Sequence, residues 1–196
     1  MRRQLVTGLL VTIVLTLLLG VVYPLVVTGV ASALFPGQAD GSLVRSGGQV
    51  VGSRLIGQSF NDAAGNPMPR YFQPRPSAAG KGYDSTSSGG TNLGPSNPNL
   101  LSAVSERVAA YRAFNELSTD VPVPVDAVTT SGSGLDPDIS VANALDQATR
   151  VATARHLDPT RVVALVHSHT NARPWGFLGE NTVNVLDLNL ALDAMH

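Results

Sequence analysis

Few residues in this sequence have the types and spacings that perform chemistry. The one histidine cluster is His167-Ser168-His169, and no acidic residue adjoins it to complete a site. On a helix, residues two apart point to different sides, so the pair suits a single metal ion poorly, whereas on a strand the two would share a face. The absence of cysteine excludes disulfides and Cys-ligated metals. We interpret these histidines as surface or capping residues and predict no metal site.

Nucleotide and hydrolase motifs fail at the spacing they require. Gly80-Lys81-Gly82 contains the Gly-Lys pair of a phosphate loop, but Gly82 stands where Ser or Thr is needed, and Arg75 where the first glycine is needed. Gly132-Ser133-Gly134 lacks the third glycine of a dinucleotide fingerprint. No G-x-S-x-G elbow occurs, and nothing in the sequence pairs the scattered carboxylates. We predict no catalytic residue.

Two polar stretches, residues 70–77 and 88–98, are the most informative part of the chain. Prolines on both sides of Arg75 favour an extended backbone, on which Gln73 and Arg75 would project as hydrogen-bond donors. Glycines in the second stretch allow backbone shapes barred to other residues. Composition leaves two interpretations open, an ordinary surface loop and a docking loop for a partner. The candidate partner-binding residues here are Gln73, Arg75, Ser77, Asn92, Ser96 and Asn97.

An apolar segment near the N-terminus places these stretches relative to a membrane. Residues 4–39 contain no charged residue and no histidine, and residues 5–35 exceed the roughly 20 apolar residues that cross a bilayer. A cleaved signal peptide is the alternative, since Ala31-Ser32-Ala33 fits a cleavage pattern, but its apolar region would span only about 7–15 residues. Arg2 and Arg3 predict that residues 1–4 are cytoplasmic and that the rest of the chain is extracytoplasmic.

Pro24 interrupts this predicted transmembrane helix next to Tyr23. Proline removes one helix hydrogen bond and tends to kink the helix. Two interpretations stay open, a plain tether and a helix shaped to pack on another membrane subunit. Tyr23 and Pro24 are therefore added to the candidate partner-binding residues.

Residues 36–196 are predicted to form one small extracytoplasmic α+β domain. Without Arg2 and Arg3 the chain has 11 basic and 14 acidic residues, so it lacks the basic surface that nucleic acid requires. Residues 61–98, rich in Gly, Pro, Ser and Asn, are predicted to form a long loop with few residues to bury. Short strands are predicted at residues 42–44, 49–51, 54–56 and 123–129. A last strand is predicted from residue 183 to about 190, with a short helical turn at its end as an open alternative.

Three helices complete the predicted domain, each starting with a capping residue followed by proline. The starts are Asn97-Pro98, Asp136-Pro137 and Asp158-Pro159. In the first helix Glu106, Arg107 and Arg112 should meet water. The expected buried positions, spaced three or four apart, are Leu101, Val104, Val108, Tyr111 and Phe114 in the first helix, Ile139, Ala142, Leu145, Ala148 and Ala152 in the second, and Val162, Val163 and Val166 in the third.

Several blocks, in this order and spacing, resemble the C subunit of the Kdp-type potassium-transporting ATPase, the KdpC family. The resemblance spans nearly the whole chain, and the blocks together are far more specific than any one alone. They are Tyr23-Pro24-Leu25 and residues 34–43, 52–60, 71–78, 94–98, 136–140, 147–152 and 183–189.

The resemblance implies an accessory, non-catalytic subunit of a bacterial inner-membrane complex that imports potassium at the expense of ATP. Its partners would be a channel-like subunit that binds K⁺ and a P-type ATPase subunit. The family has been assigned an assembly role and a chaperone-like role that raises ATP affinity. ATP as a direct ligand conflicts with the predicted topology, because ATP is cytoplasmic. Two alternatives stay open, a membrane-tethered extracytoplasmic hydrolase and a solute-binding module.

Overall fold

A computed structural model describes residues 1–195, which divide into one unit of residues 1–51 and another that starts at residue 52. Its one helix long and apolar enough to cross a membrane, within those residues, is Arg2–Leu34, near the N-terminus. A mixed helix and strand domain follows. The predicted α+β class with one N-terminal candidate membrane helix is thereby confirmed.

The long apolar helix of the first unit changes its winding before the proline. Helix α1 (Arg2–Leu17) leads into a π-helical turn (Leu18–Val22) and then helix α2 (Tyr23–Leu34). The Tyr23 amide donates to the Leu18 carbonyl, five residues back. A wider turn of this kind relieves the clash of the Pro24 ring with the preceding turn. Proline also has no amide to donate, so the normal helical hydrogen bond is missing at this position in any case. No residue of α1 or α2 is buried.

The first unit ends in a short helix and a two-stranded sheet. Helix α3 (Pro36–Ala39) is followed by strands β1 (Leu43–Ser46) and β2 (Gln49–Ser53), which pair with each other. Two predicted strands therefore exist with shifted ends. The third, at residues 54–56, was wrong: Arg54 and Leu55 form a turn, closed by an isolated bridge between Ser53 and Ile56.

The second unit packs helices against a three-stranded antiparallel sheet. Its strand order is β3-β5-β4, with Ile139 opposite Val183 and Val183 opposite Thr170. The elements in chain order are α4 (Pro98–Asn115), α5 (Val125–Val128), β3 (Asp138–Ser140), α6 (Val141–Arg155), α7 (Pro159–Ser168), β4 (Thr170–Asn171), β5 (Thr182–Asn184) and α8 (Val185–Asp193).

Caps explain two of the predicted helix starts and correct the third. The Asn97 and Asp158 side chains accept amide hydrogens at the starts of α4 and α7, as predicted. The second helix does not start at Asp136-Pro137, because residues 138–140 pair with β5 as a strand. Ile139, predicted on that helix, therefore lies in strand β3. Ser140 caps α6 instead, accepting from the Asn143 amide at 3.1 Å.

Three further sequence predictions were wrong in detail. The strand predicted at residues 123–129 is the short helix α5. The strand predicted from residue 183 ends at Asn184, whose side chain caps α8. Leu101 and Ala142 are exposed, whereas Arg107 and Arg112 are half-buried because they donate to the Val128 and Val121 carbonyls.

The hydrophobic core of this unit lies between α6, α7, α8 and the sheet. A tight turn joins α6 to α7, in which His156 adopts a left-handed backbone (φ 56°) and the Leu157 amide returns to the Ala152 carbonyl. The buried apolar residues that pack together are Phe72, Ile139, Ala144, Ala148, Val151, Ala152, Val162, Val166, Val183, Val185, Leu188 and Leu192.

Candidate functional site

The predicted long loop, residues 61–98, is held to the domain by buried amide side chains. Its Phe72 is fully buried in the core, so the expectation that this loop buries little was wrong at this point. The Phe72 amide donates to Asn189 Oδ1 and the Phe72 carbonyl accepts from Asn189 Nδ2, both at 2.9 Å. Gln147 does the same at Gln73, with bonds of 2.7 and 3.0 Å. Each side-chain amide thus makes the two hydrogen bonds that a neighbouring strand would make to this extended segment.

Arg150 is the strongest anchor of the loop, and it is a buried cation without a carboxylate partner among the described residues. It is 5% exposed and lies over the Phe114 ring, 4.3 Å from its centroid. Burial lowers the pKa of this guanidinium to about 10. Its donors reach four acceptors, which are the Pro69 carbonyl, the Tyr71 carbonyl (3.0 Å), Asn115 Oδ1 (2.9 Å) and Gln147 Oε1 (2.8 Å). Hydrogen bonds therefore disperse the buried charge.

These anchors share one face because of their spacing on α6. Asn143, Gln147 and Arg150 are three and four residues apart, which places them along one side of the helix. Asn143 Oδ1 accepts from Gln147 at 2.9 Å and from the Tyr111 hydroxyl at 2.9 Å. The buried polar set joins α4, α6 and the loop in one connected network.

A second set of contacts holds the loop from residue 75 onward against residues 129–136. Arg75 pairs with Asp136 at 2.8 Å. The Ser77 hydroxyl donates to the Gly134 carbonyl at 2.6 Å and accepts from the Tyr83 amide at 2.8 Å. The Tyr83 hydroxyl donates to the Arg75 carbonyl at 2.7 Å, and burial, followed by the Asp136 charge, raises the pKa of that phenol. The Ser77 hydroxyl and the two terminal nitrogens of Arg75 are therefore engaged within the domain, whereas the buried Arg75 Nε has no hydrogen-bond partner among the described residues.

Gln73 is engaged in the same way, so three candidate residues hold the loop in shape. Its side-chain amide donates to the Phe60 carbonyl at 2.9 Å and to the Met68 carbonyl at 3.2 Å. The sequence had placed Gln73 and Arg75 as projecting donors. Hydrogen bonds within the domain take up those donors instead, and both side chains are half-buried.

Two of the remaining loop candidates, Asn92 and Ser96, lie on an exposed arc, residues 91–96, and the third, Asn97, follows it. All six residues are exposed. Asn92 has a left-handed backbone (φ 50°), a conformation that asparagine adopts more readily than most residues. The arc is fixed at both ends, by the Thr91 hydroxyl near that of Thr130 (3.3 Å) and by Asn97, which caps α4 through the Asn99 amide (2.9 Å). Asn92 and Ser96 thus present their polar groups outward from a fixed segment.

The two membrane-helix candidates, His167 and Ser168 are exposed, and His169 is half-buried. Tyr23 is 61% exposed at the start of α2, beside Pro24. His169 Nδ1 lies 3.1 Å from the neighbouring Ser168 hydroxyl, and both groups also contact the Leu165 carbonyl. Within residues 1–195 no acidic side chain bonds to His169, and no group of three or more His, Asp or Glu is arranged to hold a metal ion.

Comparison with known proteins identifies the family. The family model described as "K+-transporting ATPase, c chain" matches residues 5–194. The chain belongs to this family. It is 56% identical over 195 residues to the "Potassium-transporting ATPase KdpC subunit" of Mycobacterium tuberculosis, with the whole of both chains covered. Proteins of the same name from Kineococcus radiotolerans (56%, 97% of this chain and 93% of that one) and Koribacter versatilis (48%, 98% and 95%) are also similar.

This KdpC-family chain is a subunit of a potassium-transporting ATPase, which makes ATP a ligand to consider. Two clefts that the structure describes have volumes of about 560 and 670 Å³. The first carries Asp126 and Asp138 beside Arg75, and the second carries Glu180 beside Arg173. Carboxylates repel a triphosphate. A smaller cleft of about 320 Å³ contains Arg70 and Arg155, and the Arg155 guanidinium is already paired with Asp193 at 2.6 Å. None of these three clefts is lined by the glycine-rich loop whose amides cradle a nucleotide phosphate, so their residues fit such a site poorly.

Sequence reasoning on this KdpC-family chain missed the anchors that shape the loop. Asn143, Gln147, Arg150 and Asn189 were absent from the candidate residues, although all four are buried. A signal was available, because three polar residues recur on the face of α6 that also carries alanine and valine. Polar residues on an apolar helix face predict a buried network, yet the sequence does not say that the partner is a loop 70 to 120 residues away.

Proposed function

We propose that this chain is an accessory subunit that helps a channel-like K⁺-binding subunit and a P-type ATPase subunit to assemble. In this proposal the N-terminus is cytoplasmic, the span at residues 5–35 packs on the channel-like subunit through Tyr23 and Pro24, and the domain lies outside the inner membrane. The observation that carries the proposal is the exposed arc of residues 91–96, whose two ends are held by Thr130 and by the Asn97 cap of α4.

A fixed, exposed arc suits protein recognition because little conformational entropy is lost when it binds. Ordering a mobile segment costs affinity, and a segment that is already ordered avoids that cost. Gln73, Arg75 and Ser77 act in this proposal as positioning residues, since their bonds hold the loop that carries Asn92, Ser96 and Asn97. The chain itself performs no catalysis, and K⁺ is the cargo of the partner subunit.

An effect on ATP affinity is proposed to be indirect. The poor fit of the clefts to a triphosphate and the predicted outward position of the domain both oppose direct nucleotide binding. The proposed route runs from the membrane helix to the channel-like subunit on which it packs, and from there to the ATPase subunit. Measuring nucleotide binding to the purified full chain tests this, and saturable micromolar ATP binding would contradict it.

The assembly proposal is tested by copurification of the tagged full chain with the partner subunits from membranes in mild detergent. Asn92→Gly with Ser96→Ala removes both exposed polar groups while keeping a residue that tolerates the left-handed backbone. We expect about tenfold weaker association, which corresponds to roughly 1.4 kcal/mol. Ser105→Ala, on the exposed face of α4, is the matched control. Unchanged association and transport in the double variant would refute the role of the arc.

The membrane helix is tested separately. Removing residues 2–34 should abolish copurification if the span provides the main contact with the channel-like subunit. If the shortened chain still copurifies from the membrane fraction at the level of the intact chain, the packing role of the helix is wrong.

A further inference from the structure

The connection between β4 and β5 carries the most exposed aromatic residues outside the membrane helix. Trp175 is 85% exposed, Phe177 70% and Leu178 44%, and residues 171–181 are all exposed. We call residues 174–178 the aromatic tip. Water-exposed aromatic side chains at the end of a protruding connection contribute nothing to the core, so their exposure needs another explanation.

The tip is ordered by its own backbone. The Arg173 amide donates to Asn181 Oδ1 at 3.2 Å, which closes the base of the connection above the β4-β5 pair. The Gly176 amide donates to the Arg173 carbonyl (2.9 Å), and the Leu178 amide to the Pro174 carbonyl (3.1 Å). Internal hydrogen bonds of this kind are needed by any backbone that enters a poorly hydrated environment.

Trp175 combines a left-handed backbone with an exposed indole. Its φ is 53°, a value that is an outlier for a bulky residue. The indole lies near Phe177, with ring centroids 6.5 Å apart. Two exposed aromatic rings therefore lie side by side on the tip.

We propose that the aromatic tip inserts into the headgroup region of the phospholipid bilayer that the chain's own helix crosses. Trp is enriched at membrane–water interfaces because its ring is apolar and its N–H remains hydrated. Phe177 and Leu178 supply apolar contact, and the exposed Arg173 beside them can bind lipid phosphate. The span Arg2–Leu34 tethers the domain to that bilayer, which keeps the local lipid concentration high.

A lipid surface fits this tip better than a protein partner does. Three side chains supply roughly 400 Å² of contact surface, about half of the roughly 800 Å² per side typical of a stable protein interface. A bilayer needs no complementary pocket, and shallow insertion of a few apolar side chains adds to a tether that already exists. This inference depends on the membrane helix and is independent of docking by residues 91–96.

The sequence provides its own reporter, because Trp175 is the single tryptophan. The full chain is reconstituted in vesicles of phosphatidylethanolamine and phosphatidylglycerol, with and without phospholipids brominated near the headgroup end of the acyl chains. Insertion to a depth of roughly 5–10 Å should shift the indole emission to shorter wavelength. Brominated lipid should then quench about half of the emission intensity. Phe177→Ser with Leu178→Ser keeps the reporter and should restore the emission of a water-exposed indole.

Other outcomes overturn the proposal. Emission at the wavelength of a water-exposed indole, with quenching by acrylamide and none by brominated lipid, means that the tip remains in water. For the assembled complex, Trp175→Cys carries an environment-sensitive dye, since the chain has no cysteine of its own. Protection of the dye from acrylamide only after assembly, without bromine quenching, would assign the tip to a partner protein.

Discussion

Replacing Arg150 with methionine should destabilise the outer domain by about 3 kcal/mol. The substitution keeps side-chain length but removes four charge-assisted hydrogen bonds, worth about 6 kcal/mol at roughly 1.5 kcal/mol each. It also removes the cost of burying the charge, which offsets part of this loss, since burial lowers the pKa of the guanidinium. The difference is a large fraction of the stability of a domain of this size.

Two measurements separate global from local effects. Thermal unfolding of the full chain in mild detergent, followed by circular dichroism, should show a midpoint lowered by about 6–12 °C. Lys81 is the single lysine of the sequence and lies within residues 61–97, so a lysine-specific protease cuts the chain there. Because Arg150 binds the Pro69 and Tyr71 carbonyls, the rate of this cleavage should rise in Arg150→Met below the unfolding temperature.

Arg161→Met is the matched control, since Arg161 is an exposed arginine at the start of α7. It should change stability by less than about 0.5 kcal/mol and leave the cleavage rate at Lys81 unchanged. The reasoning is refuted if Arg150→Met unfolds at the same temperature as the unsubstituted chain, or if both variants are destabilised equally.

Three further predictions concern the segments around the loop. Gly134→Ala should destabilise by about 1–3 kcal/mol in urea unfolding, because its φ of 67° is left-handed and a Cβ would lie 2.6 Å from a backbone oxygen; Gly132→Ala, where a Cβ meets nothing within 4 Å, should be nearly neutral. Burial raises the pKa of Tyr83 above its ordinary 10.0, so stability that is present below pH 10 is lost as the pH rises further. Tyr83→Phe should reduce the slope of the free energy of unfolding against pH in this alkaline range by up to about 1.4 kcal/mol per pH unit. An unchanged slope would contradict the assignment. Asp126 accepts hydrogen bonds from the Ser140 amide and hydroxyl, both at 2.8 Å, at the start of α6. Asp126→Asn should therefore lower the free energy of unfolding by about 1–2 kcal/mol. Unfolding in urea at the wild-type midpoint would show that these two hydrogen bonds do not stabilise the domain.

The sequence predicted the elements whose signals are local. Asn97 and Asp158, each followed by proline, start helices where expected, and the apolar span is one continuous run. The predicted helix start at Asp136-Pro137 was wrong because of non-local pairing. Partners in β5, more than 40 residues away, hold residues 138–140 as a strand. The strand predicted from residue 183 ends early because the Asn184 side chain caps α8.

The sequence predicted where the candidate site lies, but not the contacts that hold it in shape. Residues 61–98 were singled out as a loop, and Asn92 and Ser96 do lie on its exposed arc. Gln73 and Arg75 instead bond within the domain, because acceptors from distant segments reach them. Such acceptors are invisible to any argument that uses only neighbouring residues.

The anchors of the loop bind main-chain atoms at four positions, residues 69, 71, 72 and 73. Arg150, Asn189 and Gln147 contact carbonyls and amides there, and every residue type offers the same carbonyl. Apart from Phe72, which fills space in the core, and Gln73, whose side chain bonds to the Phe60 and Met68 carbonyls, the residues of this segment can therefore be exchanged without loss of these main-chain contacts. A lineage of such proteins could change the surface chemistry of the loop, and with it the preferred companion subunit, while the scaffold beneath stays the same.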